Sequence, residues 1–245
     1  MSDTVFNILV FASLPTLAAI GGAAVAVIRP PGSKLRSILQ HFAAGVVFSV
    51  VAVELLPDII QEHNAVATAI GFALGVVTML GIKKLTSAGK KTTDCESDET
   101  EGFSKAMLIA IGVDILIDGF LIGIGFSAGQ KEGKLLTLAL AMELLSLGLA
   151  LACTMGRANI SRSRIVATVA GLASLIIIGA SLGSTILQAL SKEALEVVLS
   201  FGLSALLYLV TEELLVEAHE EPETPLITST FFAGFLLFLI LGIVA

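Results

Sequence analysis

The chain has 245 residues, 56% of them hydrophobic and 14% charged, with a mean hydropathy of +0.96 and a formal net charge of −7. This balance lies well outside soluble-domain usage, which excludes a water-soluble enzyme or a nucleic-acid binder and makes the lipid bilayer the expected partner. A spanning helix needs roughly 20 apolar residues, so eight spans would take about 160–190 residues and leave one transmembrane domain over 1–245 with short loops.

The first predicted span, 4–28, is apolar from Val5 to Ile28 and has small residues at Gly21 to Ala24, as a secretory signal does. The basic region of a signal is missing and the early charge is Asp3, so the segment is read as a retained helix. The second span, 37–62, carries Glu54 and Asp58 one turn apart, with Pro57 between them loosening the backbone ladder. After a third span over 64–84, the polar stretch 86–102 (Lys90, Lys91, Asp94, Cys95, Glu96, Asp98, Glu99, Glu101) has no apolar periodicity and reads as a flexible cytoplasmic loop. The fourth span, 104–128, contains Asp114 and Asp118, four residues apart and so on one helical face. A turn over 129–133 makes the fifth span, 134–154, its antiparallel neighbour, and there Met142, Glu143 and Ser146 interrupt an apolar run. The sixth span is 163–190. The seventh, 193–217, carries Glu212, Glu213 and Glu217, and the acidic stretch His219 to Glu223 separates it from the eighth, 225–245.

Basic residues in short loops stay on the cytoplasmic side. The first, third and fifth connections hold Arg29, Lys34 and Arg36, then Lys83, Lys84, Lys90, Lys91 and Lys105, then Arg157, Arg162 and Arg164. The remaining 3 of the 14, Lys131, Lys134 and Lys192, lie on the other side. Both termini are therefore expected outside, in a plasma or inner cell membrane. At an offset of 159 the second and seventh spans align: Phe42 with Phe201, Val51 with Val210, Glu54-Leu55-Leu56 with Glu213-Leu214-Leu215, and Asp58 with Glu217. The orientation makes these copies antiparallel, which predicts an inverted repeat of helices 1–3 and 6–8 around a central pair, 4 and 5. Inverted repeats around a midplane site belong to transporters.

Carboxylates at such depth are expensive unless they pair, face water or bind a cation. Asp114, Asp118 and Glu143 are the strongest candidates, with Glu54 and Glu213 next. Asp58, Glu212 and Glu217 fit either a water interface or a vestibule. Each of His41, His63 and His219 reads as solvated or interfacial, although His219 with its neighbouring glutamates suits a weak site at the inner mouth. There is no Trp and a single Tyr, Tyr208, a poor wall for an organic ligand. No Lys or Arg lies deep in a span to bind an anion. Cys95 and Cys153 make no metal-ligand spacing. Oxygen ligands without a basic partner suit an inorganic cation.

These residues resemble the Zrt/Irt-like (ZIP) family of divalent metal transporters. Its fourth-helix motif, His-Asn-x-x-Asp/Glu-Gly, corresponds to Asp114-Ile115-Leu116-Ile117-Asp118-Gly119. Its fifth-helix motif, His-Glu-x-x-His, corresponds to Met142-Glu143-Leu144-Leu145-Ser146, and its second-helix His-Leu-Leu-Pro-Glu/Asp to Glu54-Leu55-Leu56-Pro57-Asp58. Asp118, Gly119 and Glu143 survive. Asp114 stands for the first histidine, Ile115 for the asparagine, and Met142 and Ser146 for both helix 5 histidines. The resemblance implies a metal site between helices 4 and 5 with contributions from helices 2 and 7, uptake by an elevator-like or rocking motion, and a homodimer. With the asparagine replaced, a single site is the expectation: Asp114, Asp118 and Glu143, plus Glu54, Met142, Ser146, Glu213 or water. Hard oxygens favour Mn, Fe(II) or Mg, and Met142 keeps Zn and Cd in range. The ion is cargo, and no cofactor is expected. A transport-inactive metal-sensing relative and a cation-coupled carrier of an organic solute are the competing readings.

Overall fold

A computed structural model describes residues 2–91, 105–187, 190–219, 222 and 224–244, and every regular element among them is helical. Eight helices of 20 to 30 residues are long and apolar enough to cross a membrane: α1 (Asn7–Ile28), α2 (Ser33–Glu62), α3 (Ala65–Lys84), α4 (Met107–Ala128), α5 (Gln130–Arg157), α6 (Arg162–Ile186), α7 (Lys192–Ala218) and α8 (Pro225–Val244). They are consistent with an integral membrane protein.

Three boundaries differ from the sequence reading. Helix continues from Ala65 to Lys91, so residues 86–91 of the expected loop are helical, and residues 92–102 lie outside the described residues. The turn expected over 129–133 is the single residue Gly129, with extended backbone at φ 176° and ψ 167°. Its N–H bonds to the Gly125 carbonyl at 3.1 Å, and its own carbonyl accepts from Gly133 at 3.0 Å, so both helices run up to the link and Lys131 and Glu132 join the first turn of α5. Along α6 the helix divides at Ser174 into Arg162–Ala173 and Leu175–Leu187.

In lipid, helices gain little from burying apolar surface against one another, and close backbone approach through small residues takes over. The helices pair accordingly as α1 with α5, α4 with α6, α2 with α8 and α3 with α7. At every pair glycines stand where no side chain fits. A Cβ on Gly22 would strike the Leu145 carbonyl and one on Gly148 the Ala19 carbonyl; Gly119 faces the Ile176 carbonyl and Gly179 the Leu116 carbonyl. Gly45 meets the Phe231 carbonyl, Gly234 the Phe42 carbonyl, and Gly71 the Val197 carbonyl. Helix α5 is the most enclosed, while α3 and α8 present most of their surface outward.

Two helices carry a π-helical turn in their middles. Val51 to Leu55 in α2 and Leu209 to Leu214 in α7 are π-helical, a form that appears mostly as single turns and frequently at functional sites. In α2 the cause lies nearby: Pro57 has no N–H to give to the ladder. In α7 no proline is present, and the sequence offers no comparable cause.

Candidate metal centre

Helix α4 supplies two carboxylates because Asp114 and Asp118 lie four residues apart, and Gly119 and Gly123 beside them bring the α6 backbone against the opposite side. Helix α5, turned back at Gly129, supplies Glu143. Asp118 is 1% exposed and Glu143 3%, while Asp114 is half-buried. One ligand oxygen from each of the three lies within 4.8 Å of the other two. Asp118 Oδ2 and Glu143 Oε2 are buried without a hydrogen-bond partner, and among the described residues no Lys or Arg is ion-paired with any of the three. Two unit charges at that separation repel by roughly 3 kcal/mol even at an effective dielectric of about 20.

Beneath the cluster a cavity of about 40 Å³ is lined by Asp114, Glu143, Ser146, Gln40, Glu213 and Glu217, with Leu147, Leu209 and Leu214. Its far end meets water at Glu217, which is exposed and accepts a hydrogen bond from the Gln40 amide. Glu213 reaches the cavity from the π-helical turn of α7. This volume holds a few waters or one partly hydrated ion, and is roughly a tenth of what organic ligands occupy, about 300–1,000 Å³.

Of the residues expected at the site, the structure gathers Asp114, Asp118, Glu143, Ser146, Glu213 and Glu217. Glu54 is not among them. It is 8% exposed, and its Oε1 lies 3.5 Å from Lys131 Nζ. Along α5 between Lys131 and Glu143, Leu135, Leu136, Ala139 and Leu140 are all buried, which puts apolar packing between the two places. Met142 is half-buried and does not line the cavity, and Asp58 is half-buried one turn beyond Glu54. Glu212 is exposed and ion-paired with Lys83 at 2.7 Å.

The histidines divide. His63 is exposed at the left-handed end of α2, at φ 55°, in keeping with a solvated residue. His41 corrects the expectation: it is 2% exposed. The Ser37 hydroxyl, one turn away, donates to the Ala218 carbonyl at 2.7 Å and ties α2 to the end of α7, and the His219 ring stands edge-on to His41 with centroids 5.2 Å apart. Neither Gln40 nor Lys131 was singled out from sequence, because each lies near a helix end where polar residues are ordinary.

Compared with protein-family models and with curated proteins, the chain matches none.

Proposed function

We propose that this protein carries a divalent metal cation across the bilayer, in the manner of the ZIP family it resembles. One observation carries the reading: three carboxylates, two of them buried and the third half-buried, converge within 4.8 Å, two of their oxygens lack hydrogen bonds, and no described basic residue pairs with them. A buried charge without a partner is strongly destabilising, and a mobile divalent cation supplies what the protein leaves out. Asp114, Asp118 and Glu143 are the proposed ligands, with Ser146 and Glu213 bordering the route below. The small cavity argues against an organic solute.

The pairing of helices supports an inverted repeat. Exchanging α1 with α6, α2 with α7, α3 with α8 and α4 with α5 turns each glycine-lined pair into another, and the π-helical turns of α2 and α7 fall at matching positions under the offset of 159. Helices α1, α4, α5 and α6 then form one group and α2, α3, α7 and α8 the other, with the carboxylate cluster facing the seam. Sliding or rocking at that seam would expose the cluster to either side. With both termini outside, the cavity opens toward the cytoplasm and the cargo moves inward. A cysteine at the exposed position Glu62→Cys should react with an impermeant reagent from outside, and one at Ser33→Cys should not; the reverse result overturns the orientation.

The deciding experiment is uptake into proteoliposomes by purified protein across a panel of Mn, Fe(II), Zn, Cd and Mg. Saturable uptake of at least one ion is expected. Binding without uptake of any ion would instead identify a metal-sensing relative.

A further inference from the structure

The inner mouth of the cavity carries a feature that the carboxylate centre does not use. His41 Nδ1 lies 2.9 Å from the Ser37 carbonyl, one turn earlier on α2. A carbonyl can only accept, so Nδ1 carries the proton and the neutral ring presents its lone pair at Nε2. That Nε2 is buried and has no hydrogen-bond partner. His219, on the other side of the mouth, has its Nδ1 hydrogen-bonded to the Leu215 carbonyl in the same manner. A histidine whose first nitrogen is anchored to a backbone carbonyl has the tautomer and orientation of a metal ligand at the second.

We propose that His41 and His219 form a second, nitrogen-donor metal site at the mouth of the cavity, selecting a borderline transition ion such as Zn(II) or Co(II) over Mg(II) or Ca(II). The ring spacing fits. Two imidazoles on one tetrahedral zinc, with Zn–N of about 2.0–2.1 Å, have centroids about 5 Å apart, and the observed separation is 5.2 Å at an interplanar angle of 69°. The place fits as well, because Gln40 lines the cavity and its neighbour His41 faces His219 just beyond. Imidazole suits Zn, Co or Ni, whereas Mg and Ca require oxygen. As a step on the release route the site rests on the carrier reading; as a binding site it stands alone.

The test uses the full-length protein in detergent with Asp114→Asn, Asp118→Asn and Glu143→Gln, which remove the three carboxylates of the centre. The chain contains three histidines, so X-ray absorption of bound zinc gives a clean imidazole count. Two imidazoles per zinc are expected, with a hundredfold excess of Mg(II) failing to displace the ion. His219→Ala, a change at an exposed residue, should weaken zinc binding at least tenfold and remove the two-imidazole signature. His41→Gln should do the same, and His63→Ala should do neither. Zinc bound without imidazole, or unchanged affinity in His219→Ala, overturns the site. Wild-type uptake separates the two proposals: zinc transport without imidazole ligation leaves the carrier standing and this site refuted, whereas imidazole ligation with no uptake of any ion does the opposite.

Discussion

Glu54 and Glu213 occupy corresponding positions in two helices, each on a π-helical turn and each followed by Leu-Leu. Their surroundings differ. Glu54 lies beside Lys131, a cation built into the chain, and apolar side chains of α5 separate it from the centre. Glu213 instead lines a cavity with Asp114, Glu143 and Glu217. The same local backbone thus sits in opposite settings: where the protein supplies an ammonium the carboxylate has a cation beside it, and where it supplies further carboxylates the proposed function gives the balance to a mobile ion. Glu54 is 8% exposed beside its cation, whereas the cavity at Glu213 reaches the exposed Glu217.

The largest effects should come from the unpaired half. Asp118→Ala and Glu143→Ala are each expected to lower metal uptake about a hundredfold or more while the protein inserts and elutes as a single species, since each removes a proposed ligand and also relieves repulsion. Normal uptake by both variants would remove the centre from consideration. Next in size is the response to acid. Protons and metal compete for the same carboxylate oxygens, so the apparent affinity in uptake should weaken as pH falls, by up to about tenfold per pH unit for each proton displaced. Glu143→Gln should flatten that dependence and Glu54→Gln should leave it unchanged; equal slopes in all three proteins would break the contrast between the halves.

A smaller effect is expected at the paired half. Lys131→Met leaves Glu54 without its cation, and because Lys131 is partly exposed the loss should be about 1 kcal/mol, read as a lower Tm in detergent. The double variant Glu54→Gln/Lys131→Met should recover most of it. A single variant as stable as the wild type would mean that Glu54 is neutralised in some other way. The smallest effect belongs to Ile115, which stands where the motif it resembles has asparagine. Ile115→Val trims one buried methylene at about 1 kcal/mol and should change uptake per folded molecule by less than twofold; a large change would bring this position into the centre.

The apolar helices and the clustering of carboxylates from α4 and α5 were legible in the sequence because both rest on one contrast, charge inside apolar runs, which needs no knowledge of neighbours. Asp114 and Asp118 share a face at any reasonable helical phase, and the short link forces Glu143 back toward them. Glu54 was harder. Its direction depends on a π turn, which rotates the helical phase of the residues beyond it, and on Lys131, which reaches it because the helix starts at Gln130 and not at 134. The glycine contacts were hidden for a related reason. Among 23 glycines, Gly119 lies against the Ile176 carbonyl while Gly21, Gly156 and Gly171 face open space, and no local pattern separates the two kinds until the partner helix is known. The sequence reading missed the burial of His41 because a histidine near the start of a helix is ordinarily wet, and it is the crossing of α7 over that part of α2 that buries it.

The one-residue link at Gly129 also bears on biosynthesis. A nascent α4 released alone into lipid would expose two carboxylates, each at about 2.5–3.5 kcal/mol by insertion scales. With a single extended residue between them, α4 and α5 can leave the translocon as one hairpin, the acidic stripe of the first turned toward the second before either is surrounded by acyl chains. Lengthening this link would then act on the yield of membrane-inserted protein, ahead of any effect on the activity of the molecules that do insert.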